Sequence, residues 1–240
     1  MLYLISLGLF RKEDISLRAF EAIKQCDGVY FENYTNFYKE SVKELSAFLG
    51  VPLKEVGRKE VEEGTLVREA KESAIGLLII GDIFSATTHI SLYLEAKKAK
   101  VKVEIIHGSS VLSAIGETGL SLYRFGAIAS IPFQRKNVKS PYEILQKNLK
   151  NDLHTLFLLD IEGKVKVKEG ISYLLEQGMD TKQLCIGCWQ LGGEQEIRSG
   201  KAKSLVKIHF DKYPQCFIVP AKKLHFIEEE VVGLWILKSK

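Results

Sequence analysis

Small and polar residues stand at three places in the first half of the chain where an apolar run ends. The three segments read Ser6-Leu7-Gly8-Leu9, Gly81-Asp82-Ile83-Phe84-Ser85 and His107-Gly108-Ser109-Ser110. Ligands of open α/β sheets bind outside the carboxyl ends of the strands, so these segments are predicted to meet in one crevice. There, glycine lets the backbone approach a ligand closely, while Asp82, Ser85 and Ser110 can fix its polar groups. Ordinary turn chemistry would also explain each segment without a ligand.

The run from Gly81 to His89, Gly-Asp-Ile-Phe-Ser-Ala-Thr-Thr-His, is the most distinctive in the sequence. His89 could act as a base, as a ligand or as a helix residue packed on the sheet, and no second histidine or cysteine lies near it in the sequence. Asp82 directly follows a strand that is predicted to be buried, and it is either a functional carboxylate or a cap. His154 and His225 each adjoin apolar segments and are predicted to be structural.

Two common nucleotide-binding motifs are absent from the chain. The segment Ser6–Arg11 lacks the second and third glycines of GxGxxG, and there is no GxxxxGK[ST] loop, so nicotinamide and nucleoside-triphosphate chemistry are not predicted. Cys185-Ile-Gly-Cys188 has the CxxC spacing of a zinc or redox site. On the strand predicted there, residues three apart point to opposite faces, and we therefore predict no metal site.

The composition is that of a folded globular protein. With 46% hydrophobic and 27% charged residues among 240, it excludes a disordered, collagen-like or disulfide-stapled chain. The 34 basic and 30 acidic residues nearly cancel and the lysines are scattered, so nucleic acid is not a predicted partner. The first ten residues resemble a strand rather than a signal peptide, and apolar runs such as Leu77–Ile80 are too short to span a bilayer. Four cysteines fit a reducing compartment, and we predict a soluble cytoplasmic protein without a membrane partner.

Apolar runs alternate with segments of helical period, a pattern that predicts α/β architecture with helices on the faces of a parallel or mixed sheet. The predicted strands are Leu2–Leu7, Gly28–Phe31, Ala74–Ile80, Val101–Ile106, Ile128–Phe133, Thr155–Leu159, Leu184–Trp189 and Cys216–Val219. The predicted helices lie around 15–26, 39–48, 60–71, 87–98, 111–116, 142–149 and 167–175. Ala74–Ile80 is predicted to be a central strand because its continuous apolar character implies burial on both faces. In the helix that follows it, Ile90, Tyr93, Leu94 and the Lys97 stem are expected to form the inward side.

The pattern changes near Tyr123–Gly126, where the glycine-broken units of the first half end. We therefore predict two α/β domains, residues 1–125 and residues 126–240. No internal repeat or flexible linker separates them.

Several of these segments together resemble the diphthine synthases. They are Leu2–Leu9 with Glu13-Asp14-Ile15, Gly81–His89, Leu122–Gly126, Leu153-His154-Thr155 with Leu159-Asp160-Ile161, and Val219-Pro220 with Lys223-Leu224-His225. That family belongs to the tetrapyrrole-methylase-like class of S-adenosylmethionine-dependent methyltransferases. The resemblance runs nearly end to end, and the run that ends in Ala86-Thr87-Thr88-His89 is its most specific part.

The resemblance implies a two-domain α/β homodimer that binds S-adenosylmethionine in the cleft between its domains. It also implies a substrate, elongation factor 2, on which a histidine bearing a 3-amino-3-carboxypropyl group is methylated. Carried over by position, the cofactor contacts are Leu9, Asp82, Ser85, Ser110, Val111, Leu159, Leu191 and His225. No catalytic residue is implied, because the cofactor supplies an activated methyl group and placement of the amine can drive its transfer.

The chain departs from the family pattern at two positions in the predicted crevice. Ser6 stands where the family usually has glycine, and Ile83 stands where it usually has proline after Gly-Asp. Three alternatives therefore remain open. They are a methyltransferase of the same architecture that acts on a tetrapyrrole or another small molecule, a cofactor-binding protein without turnover, and a scaffold without enzymatic activity.

Overall fold

The computed structural model describes residues 1–236 of the chain. They divide into two compact units, Met1–Leu112 and the described residues from Ser113 onward, each built around its own five-stranded sheet. Both units combine strands with helices, which confirms the predicted α/β class.

The first unit has a sheet whose five strands are all parallel, in the order β3-β2-β4-β1-β5. Its strands are β1 (Leu2–Ser6), β2 (Gly28–Glu32), β3 (Leu53–Val56), β4 (Ile75–Ile79) and β5 (Val103–Ile106). Its helices are α1 (Leu17–Ile23), α2 (Val42–Leu49), α3 (Arg58–Glu62), α4 (Thr65–Glu69) and α5 (Ile90–Lys98), with a 3-10 helix at Lys12–Asp14. A short helix, α6 (Val111–Ala114), crosses the point where the units divide.

The apolar core of the first unit covers both faces of this sheet. Successive residues of β4 and the residue after it alternate between two clusters, since Leu77 and Ile79 belong to one while Leu78 and Ile80 belong to the other. Each side chain is at most 2% exposed, and burying one leucine or isoleucine stabilises the fold by roughly 1.5–3 kcal/mol. The prediction of a central strand here is confirmed, because β4 is the middle strand of the sheet.

The face that α5 buries differs from the predicted one. Ile90 and Leu94, which were expected to face inward, are 59% and 52% exposed, and the helix buries Leu92 and Ala96 instead. These two residues continue the helical spacing of His89, which is 1% exposed. The helix is therefore oriented by a buried histidine, whose polar contact cannot be read from apolar periodicity.

Two edge strands lie where the sequence predicts none. β3, on the edge of the first sheet, exposes Lys54 and Glu55, and a polar strand lies on the edge of the second sheet. An edge strand has one side open to water, so it needs no continuous apolar run. The helix predicted at 60–71 is divided instead into α3 and α4 by Gly64, whose φ of 71° suits glycine.

The second unit has a mixed sheet in the order β6-β7-β10-β8-β9, in which only β6 and β7 are parallel. Its strands are β6 (Ala129–Ile131), β7 (Thr155–Leu159), β8 (Leu184–Trp189), β9 (Glu196–Lys201) and β10 (Gln215–Val219). Its helices are α7 (Ser140–Lys150), α8 (Val167–Glu176), α9 (Ala202–Leu205) and α10 (Phe226–Leu234), with 3-10 helices at Ile115–Thr118 and Leu122–Arg124. Cys185 faces the main apolar cluster while Cys188 lies opposite Cys216 on β10, so the pair of the CxxC motif is divided as its strand spacing predicts.

Residues 113–125 belong to the second unit and contact its later elements. The side chain of Gln195 donates a hydrogen bond to Glu117, and the Ser121 N–H donates one to Glu228 at 2.9 Å. A methyl group added at Gly119 would lie 2.3 Å from Val231 of α10, so the backbone and that helix are in close contact. The compact units thus divide earlier in the chain than the predicted boundary after residue 125.

Across residues 1–236, no helix has both the length and the apolar character needed to cross a membrane.

Candidate functional site

The loops that follow β1 and β4 meet at the carboxyl edge of the first sheet. Gly8 and Gly81 form a β-bridge in which the Gly81 N–H donates to the Gly8 carbonyl at 2.7 Å. Both glycines have positive φ, 79° and 81°, which a residue with a side chain rarely adopts. The Ser6 hydroxyl donates to the Gly81 carbonyl at 2.5 Å and accepts from the Gly8 N–H at 3.2 Å. The predicted meeting of these two segments is confirmed.

The loop after β5 packs against the same serine. A Cβ atom added at Gly108 would lie 2.0 Å from the Ser6 hydroxyl oxygen, so the absence of a side chain at Gly108 makes room for that hydroxyl. Ser6 is 2% exposed, at a position where the resemblance noted in the sequence leads us to expect glycine. Its extra hydroxymethyl group is accommodated by a glycine on the neighbouring loop and links the ends of β1 and β4.

Asp82 connects the β4 loop to the β5 loop through its carboxylate. Its Oδ2 accepts hydrogen bonds from His107 Nδ1 at 2.7 Å and from the Gly108 N–H at 3.4 Å. Its Oδ1 accepts from the Phe84 N–H at 3.2 Å and from the Ser85 hydroxyl at 3.0 Å. Burial by itself would raise the pKa of Asp82, but these hydrogen bonds outweigh it and hold the pKa below its usual value. The ionised carboxylate therefore fixes the shape of both loops.

Open space remains next to the backbone between these anchored side chains. A Cβ atom added at Gly81 would meet nothing within 4 Å, so a ligand can approach the backbone there. Ser85, four residues after Gly81, is half-buried, and Leu9 is half-buried on the loop after β1. Ser110 is buried, its hydroxyl accepts from the Leu112 N–H at 2.9 Å, and Val111 begins α6. The first unit thus brings five of the eight predicted cofactor contacts onto the loops that leave one edge of its sheet.

The other three predicted contacts belong to the second unit. Leu159 ends β7 and Leu191 follows β8, and both are buried, at 6% and 7% exposure. His225 is exposed at the start of α10, where its Nδ1 accepts from the Ile227 N–H at 3.4 Å. It lines a cavity of about 360 Å³ together with Tyr123 and Arg124.

A buried carboxylate that the sequence did not indicate lies behind His225. Glu228 accepts hydrogen bonds from Arg124 at 2.6 Å, from the N–H groups of Ser121 and His225 at 2.9 Å each, and from His154 Nε2 at 3.2 Å. Burial by itself would raise the pKa of Glu228, but these bonds lower it to about 2. Its position on a helix of mixed composition gave no sign of this burial.

His154 is structural, as predicted. The Ala221 N–H donates to His154 Nδ1 at 2.9 Å, so the ring proton lies on Nε2 and is donated to Glu228. Burial lowers the pKa of His154, which the nearby Glu228 only partly offsets. The imidazole is therefore a neutral bridge between the start of α10 and the segment after β10.

His89 is also buried, and its Nε2 lies 2.8 Å from Oε2 of Glu32, the last residue of β2. Of the three alternatives for His89, burial against the sheet is observed, with a carboxylate partner that the sequence analysis missed. A charged residue ending an otherwise apolar strand was the available signal. In residues 1–236, no group of three or more His, Cys, Asp and Glu side chains is arranged to hold a metal ion.

Comparison with known proteins identifies the class to which a parallel sheet with glycine-bearing strand-end loops and a mixed second sheet belong. The family model of the tetrapyrrole (corrin/porphyrin) methylases matches residues 1–206. A solved structure of diphthine synthase superposes with a TM-score of 0.92 at 34% identity, covering 98% of this chain and 95% of its own.

Curated relatives narrow the class. A diphthine synthase of Methanosphaera stadtmanae is 37% identical and covers 97% of this chain and 94% of its own length. A diphthine methyl ester synthase of Dictyostelium discoideum is 34% identical, with 100% and 99% covered. The chain belongs to the diphthine synthases, a family of S-adenosylmethionine-dependent methyltransferases within the tetrapyrrole methylases.

The loops of the first unit fit the cofactor of this family. S-adenosylmethionine supplies a methyl group that is already activated on a sulfonium centre. It has no phosphate, in keeping with the absence of a phosphate-binding motif from the sequence. The space beside Gly81 leaves room for the cofactor, the Ser85 hydroxyl oxygen can still accept a hydrogen bond from it, and the ionised Asp82 is favourable to its positive charge.

Proposed function

We propose that this protein methylates the 3-amino-3-carboxypropyl-modified histidine of translation elongation factor 2 with S-adenosylmethionine as donor. The observation that supports this most is the meeting of the three strand-end loops, with unfilled space beside Gly81, in a chain whose full-length relatives bear the names diphthine synthase and diphthine methyl ester synthase. The departures at Ser6 and Ile83 leave these loops joined by hydrogen bonds.

The proposed cofactor contacts follow from the placement of the loops. The proposed contacts of the first unit lie on three loops. Leu9 lies on the loop after β1, the backbone near Gly81 and the Ser85 hydroxyl lie on the loop after β4, and Ser110 and Val111 follow β5. Both oxygens of the Asp82 carboxylate already accept hydrogen bonds from the surrounding loops. We therefore propose that Asp82 contacts the cofactor through its backbone and attracts it through its negative charge. Leu159, Leu191 and His225 are the proposed contacts of the second unit.

The chain's own groups need only bind, orient and exclude water for this reaction. Holding an unprotonated amine in line with the activated methyl group supplies roughly 7–11 kcal/mol of the barrier through proximity and orientation. Fixed loops suit this task, because a displacement of the reacting atoms is costly in rate. No side chain is proposed as a catalytic base.

The experiment that tests the activity is mass spectrometry of elongation factor 2 that carries the unmethylated precursor. After incubation with this protein and S-adenosylmethionine, we expect stepwise additions of one methyl mass on that histidine. Tandem spectra locate each methyl on the amine or on the carboxylate, which distinguishes diphthine from its methyl ester. An unchanged mass while the protein binds cofactor would refute this substrate, and methylation of a tetrapyrrole offered in parallel would support the small-molecule alternative.

The cofactor site is tested with Asp82→Asn. The amide nitrogen replaces one acceptor oxygen and faces the two donors of one loop, those of His107 and Gly108 or those of Phe84 and Ser85, so we expect the Kd for S-adenosylhomocysteine to rise by about tenfold or more in calorimetry. Asp211→Asn makes the same chemical change on an exposed side chain and should leave the Kd unaltered. Equal Kd values for the two variants would refute the proposed site.

We further propose that the protein is a cytoplasmic homodimer. A cytoplasmic location is proposed because the proposed substrate, elongation factor 2, acts in translation. The exposed apolar side chains of α10, Phe226, Ile227 and Leu234 at 62%, 48% and 75% exposure, are suited to contact with a second copy. Sedimentation velocity at micromolar concentration should give the mass of a dimer, and a monomer at every concentration would refute the proposal.

A further inference from the structure

The segment from Asp82 to His89 is held at each end by a carboxylate paired with an imidazole. At its start, the Asp82 carboxylate lies 2.7 Å from Nδ1 of His107, which follows β5. At its end, His89 Nε2 lies 2.8 Å from Oε2 of Glu32, which ends β2. In the sheet, β2 and β5 lie on opposite sides of β4, from which the segment leaves. The segment is thus tied to strand ends on both sides of its origin.

The second of these pairs is wholly buried. Glu32 is 0% and His89 is 1% exposed, and a carboxylate partner requires that Nε2 carry the ring proton. The Tyr34 hydroxyl lies 3.5 Å from His89 Nε2. A buried ionic or charge-assisted bond of this kind is stronger than one between neutral groups.

Packing alone would not select this pair. Among the residues that the structure describes, Glu32 Oε1 and His89 Nδ1 are buried without a hydrogen-bond partner. Such atoms destabilise the folded state, and apolar side chains of similar volume would avoid the loss. The pair therefore points to a requirement for position rather than for stability.

The backbone between the two anchors is strained. Ala86 has a φ of 64°, in the left-handed region that disfavours a residue with a Cβ atom. The Thr87 hydroxyl donates to the Ile83 carbonyl and holds the turn from within. Strained backbone of this kind persists where its surroundings fix both ends, and it is frequent in segments that bind ligands.

We propose that Glu32 and His89 are positioning residues for the cofactor, holding the far end of the segment that carries Asp82 and Ser85 in the conformation that binds S-adenosylmethionine. This inference rests on the cofactor contacts proposed above for that segment. With the anchor in place, the binding conformation is the populated one before the cofactor arrives. Without it, the segment is divided among conformations, and the apparent affinity falls by the fraction that remains competent.

The test compares two replacements of His89 that differ in one hydrogen bond. His89→Gln places an amide N–H near the position of Nε2 and keeps a donor for Glu32, whereas His89→Leu keeps none. Circular dichroism first establishes that each variant is folded at the assay temperature, and calorimetry then measures the Kd for S-adenosylhomocysteine. We expect His89→Leu to raise the Kd about tenfold or more and His89→Gln to stay within about threefold of the unaltered protein. The cofactor KM should rise in the same order, with kcat at saturating cofactor changing less.

His209→Gln is the matched control, because it makes the same substitution at an exposed histidine. A folded His89→Leu variant with an unaltered Kd overturns the proposal, and so does an equal rise in the Leu and Gln variants. If His89→Leu does not fold, Glu32→Gln decides in its place, since it keeps the side-chain shape and weakens the bond. An unaltered Kd there also overturns the proposal.

Different results refute the proposed function and the positioning role of Glu32 and His89. Absence of binding in the unaltered protein refutes the proposed function itself. Loss of affinity in Asp82→Asn with none in His89→Leu and Glu32→Gln leaves the proposed cofactor site standing and refutes only the positioning role.

Discussion

The buried carboxylate of Glu228 should determine the stability of the second unit in acid. Its pKa is lowered from 4.5 to about 2, because the hydrogen bonds that it accepts outweigh the cost of its burial. A shift of this size corresponds to about 3 kcal/mol, at about 1.4 kcal/mol for each pH unit. Since the folded pKa is the lower one, this stability is present above about pH 4.5 and is lost as the pH falls towards 2.

Glu228→Gln keeps the shape of the side chain and removes its charge. We expect the variant to lose about 3 kcal/mol of unfolding free energy at pH 7, because Arg124 and the N–H groups of Ser121 and His225 lose a charged acceptor. The difference between variant and unaltered protein should shrink as the pH falls from 5 to about 2.

Urea unfolding followed by tryptophan fluorescence measures this effect selectively. Both tryptophans of the chain, Trp189 and Trp235, belong to the second unit. Glu229→Gln is the matched control, because Glu229 is the adjacent residue of α10 and is exposed. Equal stability of the two variants at pH 7, or a loss in Glu228→Gln that is independent of pH, would contradict this role of the Glu228 charge.

Two further predictions concern the first unit's loops and the thiols. Gly108→Ala should cost about 1–3 kcal/mol with Ser6 present and much less in a Ser6→Gly background, because the added methyl group collides with the Ser6 side chain. Circular dichroism during urea unfolding gives both values, and an equal cost in the two backgrounds would contradict the close contact. Burial raises the pKa of Cys26 to about 11 and that of Cys185 to about 12, so both thiols should react slowly with iodoacetamide at pH 8. Mass spectrometry should show rapid labelling of both thiols only after the protein is unfolded in urea. Rapid labelling of the native protein would contradict this burial.

Elements that depend on local apolar pattern were predictable from the sequence. β7 at Thr155–Leu159 and β8 at Leu184–Trp189 have the predicted bounds, because each is a buried run that packs on both sides. The edge strands β3 and β9 were not predictable, because one side of each faces solvent and their residues are largely polar. The orientation of α5 was not predictable either, because the helix buries the face that it shares with His89 and exposes the face of Ile90 and Leu94.

The loops of the candidate site were predictable from the amino-acid sequence, because strand ends are marked by glycine and polar residues close to apolar runs. Which side chains hold those loops follows from the folded chain instead. Glu32 and His89 are separated by 57 positions, and Glu228 and Arg124 by 104. Partners so distant meet because the packing of strands and helices brings their elements together, and no local pattern specifies that packing. The chemistry of each carboxylate, its burial and its donors, therefore follows from the fold rather than from its neighbours in the chain.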